Sequence, residues 1–168
     1  IKKESESNNK KVDFSFKVEG ESNETQIEQL LKLKSSLIQI LRNSVGHGIE
    51  IDRREKGKPE TGILKLNIQF GNKLKIEIED DGSGLDTGKI INKALKKNII
   101  NQEDVNLMSE EEVFQLIFHP GLSTAEKVTE TSGRGFGMDI VKSEMEKLGG
   151  KVQIYSASGK FTKFEIVL

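Results

Sequence analysis

Residues 74–84 read LKIEIEDDGSG, and this stretch decides the fold. Apolar and polar residues alternate along its first part, which predicts a strand with one buried face. The strand runs directly into the turn Asp80–Gly84, so the alternation places Asp80 on the buried side as well. A buried carboxylate needs hydrogen-bond donors. An adenine amino group is one such donor, and Gly82 and Gly84 would let a flat ring approach the backbone. Taken alone, the same five residues are also a common turn sequence, so their function depends on what surrounds them.

The spacing of apolar residues in the rest of the chain predicts a layered fold around this strand. A period of two predicts further strands, the first of them half-buried and ending near Gly20. A helical period predicts a long helix, either continuous or broken near Lys34, which His47-Gly48 closes with the glycine as C-terminal cap. Strands are predicted at residues 12–18, 63–70, 74–79, 151–156 and 162–168, and helices at 25–45, 87–97, 109–118 and 137–148. This order favours an α+β fold in two layers, with one mixed, mostly antiparallel sheet and helices on one face.

Two segments fall outside these elements. Residues 1–10, IKKESESNNK, are polar and aperiodic and are predicted to be a linker or disordered end. Residues from about 118 to 136 are rich in Pro, Gly, Ser and Thr and are long for a connection, which predicts a functional lid. Residues 11–168 are expected to form a single domain, a length that allows a substantial core.

The composition excludes several classes of function. Lys plus Arg number 26 and Asp plus Glu 27, a net charge of −1, which argues against a nucleic-acid partner held by bulk electrostatics. Cysteine is absent, so disulfides, thiolate metal sites and a catalytic thiol are excluded. No apolar run approaches membrane-spanning length. Because the chain begins at Ile1 without an initiator Met or a signal-like segment, we expect an excerpt from a longer, cytoplasmic protein.

A polar stripe interrupts the apolar pattern at the end of the long helix. Gln39, Asn43 and His47 are spaced four apart and are expected to share one face. The stripe is either a solvated face or a face turned to a ligand. In the second case, the amide oxygen of Asn43 suits Mg²⁺, which keeps several waters and bridges phosphates. His47 would then donate to a phosphate oxygen.

A second glycine-rich stretch, Gly133–Gly137, precedes the next helix. Its Gly-x-Gly-x-Gly spacing permits close backbone approach and suits phosphate binding at a helix start. The spacing does not match the dinucleotide fingerprint, and no Gly-Lys-Ser/Thr follows it as in a P-loop. A glycine hinge is the alternative. We favour phosphate binding because Ser123, Thr124 and Arg134 add donors nearby in sequence.

In this order, the segments resemble the GHKL ATPase superfamily, which includes gyrase B, mismatch-repair ATPases and histidine kinases. Within it they are most similar to the ATP-binding catalytic domain of CheA-type chemotaxis histidine kinases. The segments that carry the resemblance are 41–45 (LRNSV), 47–50 (HGIE), 57–59 (GKP), 79–84 (EDDGSG), 116–118 (LIF), 120–121 (PG), 123–125 (STA), 132–135 (SGRG), 137–139 (GMD), 141–142 (VK) and 147–150 (KLGG). The similarity runs from about residue 11 to the end of the chain.

The resemblance implies a Bergerat-type α/β sandwich and a role for each matching position. Asn43 matches the asparagine that binds Mg²⁺, and Asp80 matches the aspartate that accepts from the adenine amino group. Further ATP-binding positions implied on the adenine side are Gly82, Gly84 and Thr162. On the phosphate side they are Ser123, Thr124, Gly133, Arg134, Gly135, Gly137 and Met138, with 118–136 as the mobile ATP lid.

Four positions depart from the family pattern. CheA-type domains usually carry His where this chain has Gln39, and gyrase-type hydrolases carry their general-base Glu there; glutamine cannot act as a base. Gly46 stands where an Asp is usual, and Leu122 stands where the lid usually has Phe. The third glycine motif reads Gly159-Lys160-Phe161-Thr162 instead of Gly-x-Gly-Thr. The binding positions are therefore retained, while the catalytic positions Gln39 and His47 lie on an altered helix.

The leading hypothesis is a histidine protein kinase domain that binds Mg·ATP and transfers the γ-phosphoryl group to a histidine on a separate domain. The chain has two histidines, His47 in the expected pocket and His119 in the lid, so neither is expected to be the acceptor. The implied partners are a histidine phosphotransfer domain and the dimerisation and coupling domains of a parent kinase, and this domain alone is expected to be a monomer. The alternative is a nucleotide-binding regulatory module with impaired catalysis. A gyrase-like ATPase ranks third.

Overall fold

The structure is a computed structural model that describes residues 1–122 and 137–168. Five strands form one sheet, and helices lie in the first and third of the connections between successive strands. The strands are β1 (Val12–Glu19), β2 (Gly62–Gln69), β3 (Lys75–Asp80), β4 (Lys151–Ala157) and β5 (Phe161–Val167). The helices are α1 (Lys2–Ser7), α2 (Glu24–Asn43), α3 (Thr87–Lys96), α4 (Gln102–Leu107), α5 (Glu110–Gln115) and α6 (Met138–Lys147), with a π-helical turn at Ser44–Gly48 and a 3₁₀ turn at Leu116–Phe118.

The sheet is mixed and mostly antiparallel, as predicted. Its order is β1-β2-β3-β5-β4, and β1 and β2 are the parallel pair, while the other neighbours are antiparallel. The order brings β3 and β5 side by side at the centre. The carboxyl end of β3 therefore lies next to the start of β5.

Burial alternates along the central strands, and this alternation creates the two layers. In β2 and β3 every second residue is buried beneath helices, while the intervening residues are more exposed. They form the ion pairs Lys65–Glu79, between β2 and β3, and Lys75–Glu165, between β3 and β5. The buried apolar cluster includes Leu33, Ile40 and Val45 from the α2 segment, Leu64, Ile76, Ile78 and Ile166 from the sheet, and Val141 and Met145 from α6. Burying each such side chain is worth roughly 1.5–3 kcal/mol relative to exposure. The α+β class is confirmed.

The long helix α2 is continuous, without a break near Lys34. Asn23 caps its first turn by accepting from the backbone N–H of Gln26, whose side chain bonds back to the cap. Apolar residues at helical spacing then turn its buried face to the sheet. The α-helix ends at Asn43 and passes directly into the π-helical turn, closed by the N–H of Ile49 donating to Ser44 O at 2.8 Å.

Two expectations about the N-terminal part are corrected. Residues 1–10 are not wholly irregular, because Lys2–Ser7 form a helix and Lys10 Nζ donates to the carbonyls of Val45 and Gly46 at 2.8 and 2.7 Å. The first strand is not half-buried: Phe16 is 58% exposed and Val18 49%. β1 is an edge strand, and an alternating sequence does not reveal whether the layer above reaches the edge.

The helices after β3 differ in detail from the prediction. Helix α4, capped by Asn101, was not predicted, and the helix predicted at 109–118 is divided into α5 and the 3₁₀ turn. The capping box between Ser109 and Glu112 is confirmed. Within the two described ranges, no helix combines the length and apolar character needed to cross a bilayer.

Candidate functional site

Asp80 is the last residue of β3 and is a buried carboxylate at the centre of the sheet. It lies opposite Leu64 on β2 and Thr162 on β5, and it is 2% exposed. The N–H of Gly82 donates to its Oδ1 at 3.1 Å. Burial, reinforced by the negative charges of Asp81 and Glu50, raises the pKa of Asp80 to about 6, against the opposing effect of the Ser44 hydroxyl and the Gly82 N–H.

Two glycines of the turn after Asp80, Gly82 and Gly84, allow the backbones of neighbouring segments to pack closely against the turn. A Cβ on Gly82 would lie 2.2 Å from the carbonyl oxygen of Gly48, and one on Gly84, where φ is +67°, would lie 2.2 Å from that of Ala157. The N–H of Ser83 donates to Gly48 O at 2.9 Å. The turn therefore packs between the π-helical turn and the β4–β5 hairpin, which the sequence alone did not reveal.

Gly48 has a different role from the predicted helix cap. Its backbone is not in the left-handed region, and Ile49 occupies the capping position. A Cβ on Gly48 would lie 3.0 Å from both carboxylate oxygens of Asp80. The residue is therefore required to be small because the carboxylate lies directly over it.

We refer to Gln39 and Asn43, the polar residues at the end of α2, as the polar wall of the candidate site. Gln39 Nε2 donates to Asn43 Oδ1 at 3.2 Å, and Asn43 Nδ2 donates to Sδ of Met138 at 3.1 Å, at the start of α6. His47 is exposed within the π-helical turn, and a π turn at this place is itself a feature common at functional sites. The π-helical turn that follows Asn43 meets the end of β3 at Gly48, whose carbonyl accepts from the N–H of Ser83 at 2.9 Å.

The predicted phosphate-side positions are only partly described. Ser123, Thr124, Gly133, Arg134 and Gly135 lie outside the described residues. Gly137 is the N-cap of α6 and makes no side-chain cap.

The described start of the predicted lid packs into the core. Phe118 and Leu122 are buried, and the Phe118 ring contacts Phe164 edge-on at 6.4 Å between centroids. His119 is exposed.

A partly buried cluster of four charges, Glu50, Arg53, Lys58 and Asp81, contacts the turn and has no signal in the sequence pattern. Arg53 is 1% exposed and pairs with Glu50 at 3.0 Å and with Asp81 at 2.7 Å; Lys58 pairs with Glu50 at 2.9 Å. The pKa of Glu50 is lowered: burial raises it, but the bonds from Lys58 and the charges of Lys58 and Arg53 outweigh burial. Residues 48–62 are charged and rich in turn residues, and charge in such a segment has no period from which burial could be predicted.

Comparison with known proteins agrees with this geometry. Residues 33–168 match the family described as histidine kinase-, DNA gyrase B-, and HSP90-like ATPase. The chain belongs to this family. The match includes both Asp80 and the polar wall and runs from α2 to β5. Membership of this family implies ATP binding.

Curated relatives narrow the family to the CheA type. The chain is 41% identical over 164 residues to chemotaxis protein CheA of Bacillus subtilis, covering 95% of this chain and 24% of that protein. It is 46% identical over 145 residues to sensor histidine kinase CheAY of Helicobacter pylori, covering 84% of this chain and 18% of that protein. The chain thus spans about a quarter or less of the length of these relatives and is a CheA-type ATPase domain.

A solved structure supports the fold. The blue-light activated histidine kinase EL346 of Erythrobacter litoralis matches with a TM-score of 0.53 and 12% identity, covering 99% of this chain and 39% of that one. At this identity the likeness concerns the α+β architecture alone.

Proposed function

We propose that this domain binds Mg·ATP and donates the γ-phosphoryl group to a histidine on a separate domain of a two-component signalling kinase. The observation that carries the proposal is the junction at Gly48. The π-helical turn that contains Gly48 follows directly on Asn43, and a Cβ at Gly48 would lie 3.0 Å from both carboxylate oxygens of Asp80. A carboxylate suited to adenine and an amide suited to a phosphate-bound cation thus flank one site.

The adenine side depends on the hydrogen-bond acceptor capacity that the buried Asp80 carboxylate keeps. Oδ1 of Asp80 already accepts from Gly82, while the carboxylate retains lone pairs for an exocyclic amino group. Thr162, buried and opposite Asp80, adds a hydroxyl on the same face of the sheet. Guanine presents an oxygen where adenine presents this amino group, so a carboxylate here favours adenine nucleotides.

The metal side fits a cation bound mainly by phosphates. Among residues 1–122 and 137–168, no group of three or more His, Asp or Glu side chains gathers into a metal site. Asn43 offers one half-buried amide oxygen, oriented by its bonds with Gln39 and Met138, which suits Mg²⁺ as a single protein ligand beside phosphate oxygens and waters. When bound, Mg²⁺ neutralises charge that develops on the transferring phosphates.

The reaction needs positioning more than proton transfer. A neutral imidazole nitrogen of the acceptor attacks the γ-phosphorus with its lone pair; an N–P bond forms, the P–O bond to the β-phosphate breaks, and ADP leaves. No proton has to be removed before the attack, so the inability of Gln39 to act as a base is compatible with phosphotransfer. Exposed His47 is available to donate to a phosphate oxygen.

The acceptor and the other domains lie outside this chain in the proposal. Neither His47 nor His119 is on a regular exposed α-helix, and the curated relatives are about four times as long. We therefore assign the phosphoacceptor, dimerisation and coupling functions to other domains of a cytoplasmic parent kinase, with this domain monomeric by itself.

An alternative function, a nucleotide-binding regulatory module with impaired catalysis, is favoured by one contact. The amide of Gln39 already donates to Oδ1 of Asn43, the oxygen proposed for Mg²⁺. A cation would have to share or displace this bond, which would slow transfer without preventing adenine binding.

Transfer of labelled phosphate separates the two functions. The domain is incubated with γ-labelled ATP, Mg²⁺ and the histidine-bearing domain of the parent kinase, and acid-labile label on that domain is measured. An acceptor domain with its histidine replaced is the control. Labelling supports the kinase, whereas ATP binding by calorimetry without labelling supports the regulatory module. Absence of ATP binding contradicts both.

A further inference from the structure

The peptide planes of the turn after Asp80 are held by the partly buried ammonium group of Lys58. All three N–H groups of the Lys58 ammonium have acceptors: Glu50 Oε1 at 2.9 Å, the carbonyl of Asp81 at 2.9 Å and the carbonyl of Gly82 at 2.6 Å. The Lys58 side chain is 17% exposed. An ammonium with three fixed acceptors holds its partners in one arrangement.

Arg53 fixes the same turn from a second direction. Its Nη1 donates to the carbonyl of Asp81 at 3.2 Å and its Nη2 to the carboxylate of Asp81 at 2.7 Å, while Nε donates to Pro59 O at 2.8 Å. Asp81 Oδ1 in turn accepts from the N–H of Ile63 at 2.7 Å, which anchors the turn to β2. The four charges Arg53, Lys58, Glu50 and Asp81 sum to zero.

Peptide geometry transmits this anchoring to Asp80. In a trans peptide the C=O and the following N–H point in opposite directions, and the described residues contain no cis bond. Because Lys58 and Arg53 hold the carbonyl of Asp81, the N–H of Gly82 is directed to Asp80 Oδ1. Because Lys58 holds the carbonyl of Gly82, the N–H of Ser83 is directed to Gly48 O.

We infer that Lys58, supported by Arg53, is a positioning residue that orients the Asp80 carboxylate for adenine through the Asp81–Gly82 and Gly82–Ser83 peptides. It does not touch the nucleotide; it sets the purine selectivity of the site. The inference rests on the proposed nucleotide site.

The test compares affinities for Mg·ATP and Mg·GTP by calorimetry in the wild-type domain, Lys58→Met and the control Lys56→Met. Methionine keeps the apolar length of Lys58 but removes all three donors, and Glu50 keeps Arg53 as its partner. Lys56 lies in the same segment, is half-exposed and pairs only with Asp52 at 3.0 Å among the contacts described for it. None of the hydrogen bonds or ion pairs described for Lys56 is with the turn.

We expect Lys58→Met to bind ATP about tenfold more weakly, with GTP affinity changed by less than about twofold, because a misaligned carboxylate loses a buried hydrogen bond. Lys56→Met should keep the wild-type ratio. A general loss of packing would lower both affinities together. Thermal melting without nucleotide establishes that each variant is folded; should Lys58→Met be unfolded, Lys58→Gln, which keeps one amide donor, is measured in its place.

The possible outcomes distinguish a failure of the positioning role of Lys58 from a failure of the proposed nucleotide-binding function. A wild-type domain that prefers ATP, with a folded Lys58 variant of unchanged ATP-to-GTP ratio, overturns the positioning role alone. An equal change in Lys56→Met also overturns it. A wild-type domain that does not bind ATP overturns the proposed function, and the positioning role with it.

Discussion

Gln39 donates a hydrogen bond to the amide oxygen of Asn43, one helical turn along α2, at 3.2 Å. The two residues therefore act as a pair: Gln39 turns the oxygen of Asn43, and Met138 accepts from its nitrogen. Any change at residue 39 alters the group proposed to bind the cation. It also alters the position from which a base would act on a water.

Gln39→Glu should raise the rate of ATP hydrolysis by at least about tenfold, because a carboxylate beside the γ-phosphate can take a proton from water. Release of inorganic phosphate measures this rate. Gln39→Met is the matched control, since it removes the bond to Asn43 without supplying a base. Equal phosphate release by the Glu and Met variants would show that residue 39 does not face the attacking water.

Asn43→Ala should abolish the contribution of Mg²⁺ to ATP affinity while leaving adenosine binding unchanged, because the only protein ligand proposed for the cation is lost. Calorimetry of ATP with and without Mg²⁺ gives the contribution. Asn92→Ala, on the exposed side of α3, should behave as the wild type. If Mg²⁺ strengthens ATP binding as much in Asn43→Ala as in the wild type, Asn43 is not a ligand.

Asp80→Asn should weaken ADP binding by about 1–3 kcal/mol, the range for leaving a buried polar partner unmatched. The same change should stabilise the nucleotide-free domain at pH 7. The pKa of Asp80 is about 6 in the folded domain, compared with 3.8 in the unfolded chain. Ionised Asp80 therefore opposes folding at pH 7 by at most ~3 kcal/mol. Urea unfolding and calorimetry measure the two effects. Asp13→Asn, on exposed β1, should change neither, and unchanged ADP affinity in Asp80→Asn would contradict the adenine role.

The pH dependence of binding follows from the same raised pKa. Protonation removes the negative charge that accepts from the adenine amino group, so affinity for adenosine should fall as the pH decreases through about 6. The stability of the nucleotide-free domain has the opposite trend: the contribution of Asp80 is fully present below pH 4 and is lost as the pH rises through about 6. Adenosine is used because it carries no phosphate that titrates. A binding profile equally steep in Asp80→Asn would assign the effect to another group.

The centre of the fold can be predicted from the sequence because apolar residues in that part of the chain recur with a strong period. The alternation of residues 74–80 places Ile76, Ile78 and Asp80 on the buried face. The helical spacing of α2 correctly predicts its buried side and brings Gln39 beside Asn43. These are local patterns in which the side-chain direction follows from the backbone period alone.

The remaining errors concern features that depend on distant parts of the chain. The exposed β1 alternates like a half-buried strand, and only its edge position makes the difference. The burial of Arg53 depends on Glu50, Pro59 and Asp81 meeting around it. The role of Gly48 depends on Asp80, thirty-two residues later, and no local rule links them. The roles assigned to the positions in the described site stay predictions for the experiments above.

Gly82→Ala should both destabilise the domain and weaken nucleotide binding. Its Cβ would lie 2.2 Å from the carbonyl of Gly48, and neither backbone can move without breaking the bond from Ser83 to Gly48 or the bonds of Lys58. A loss of about 1–3 kcal/mol is expected from such overpacking. Gly71→Ala is the matched control: its Cβ would meet nothing within 4 Å, and its backbone is not left-handed, so it should be neutral or stabilise by about 0.4–1 kcal/mol. Urea unfolding of both variants, with ADP titration of the folded proteins, tests the pair. Equal stability of the two variants would mean that the turn tolerates a methyl group and does not pack against the π-helical turn as described.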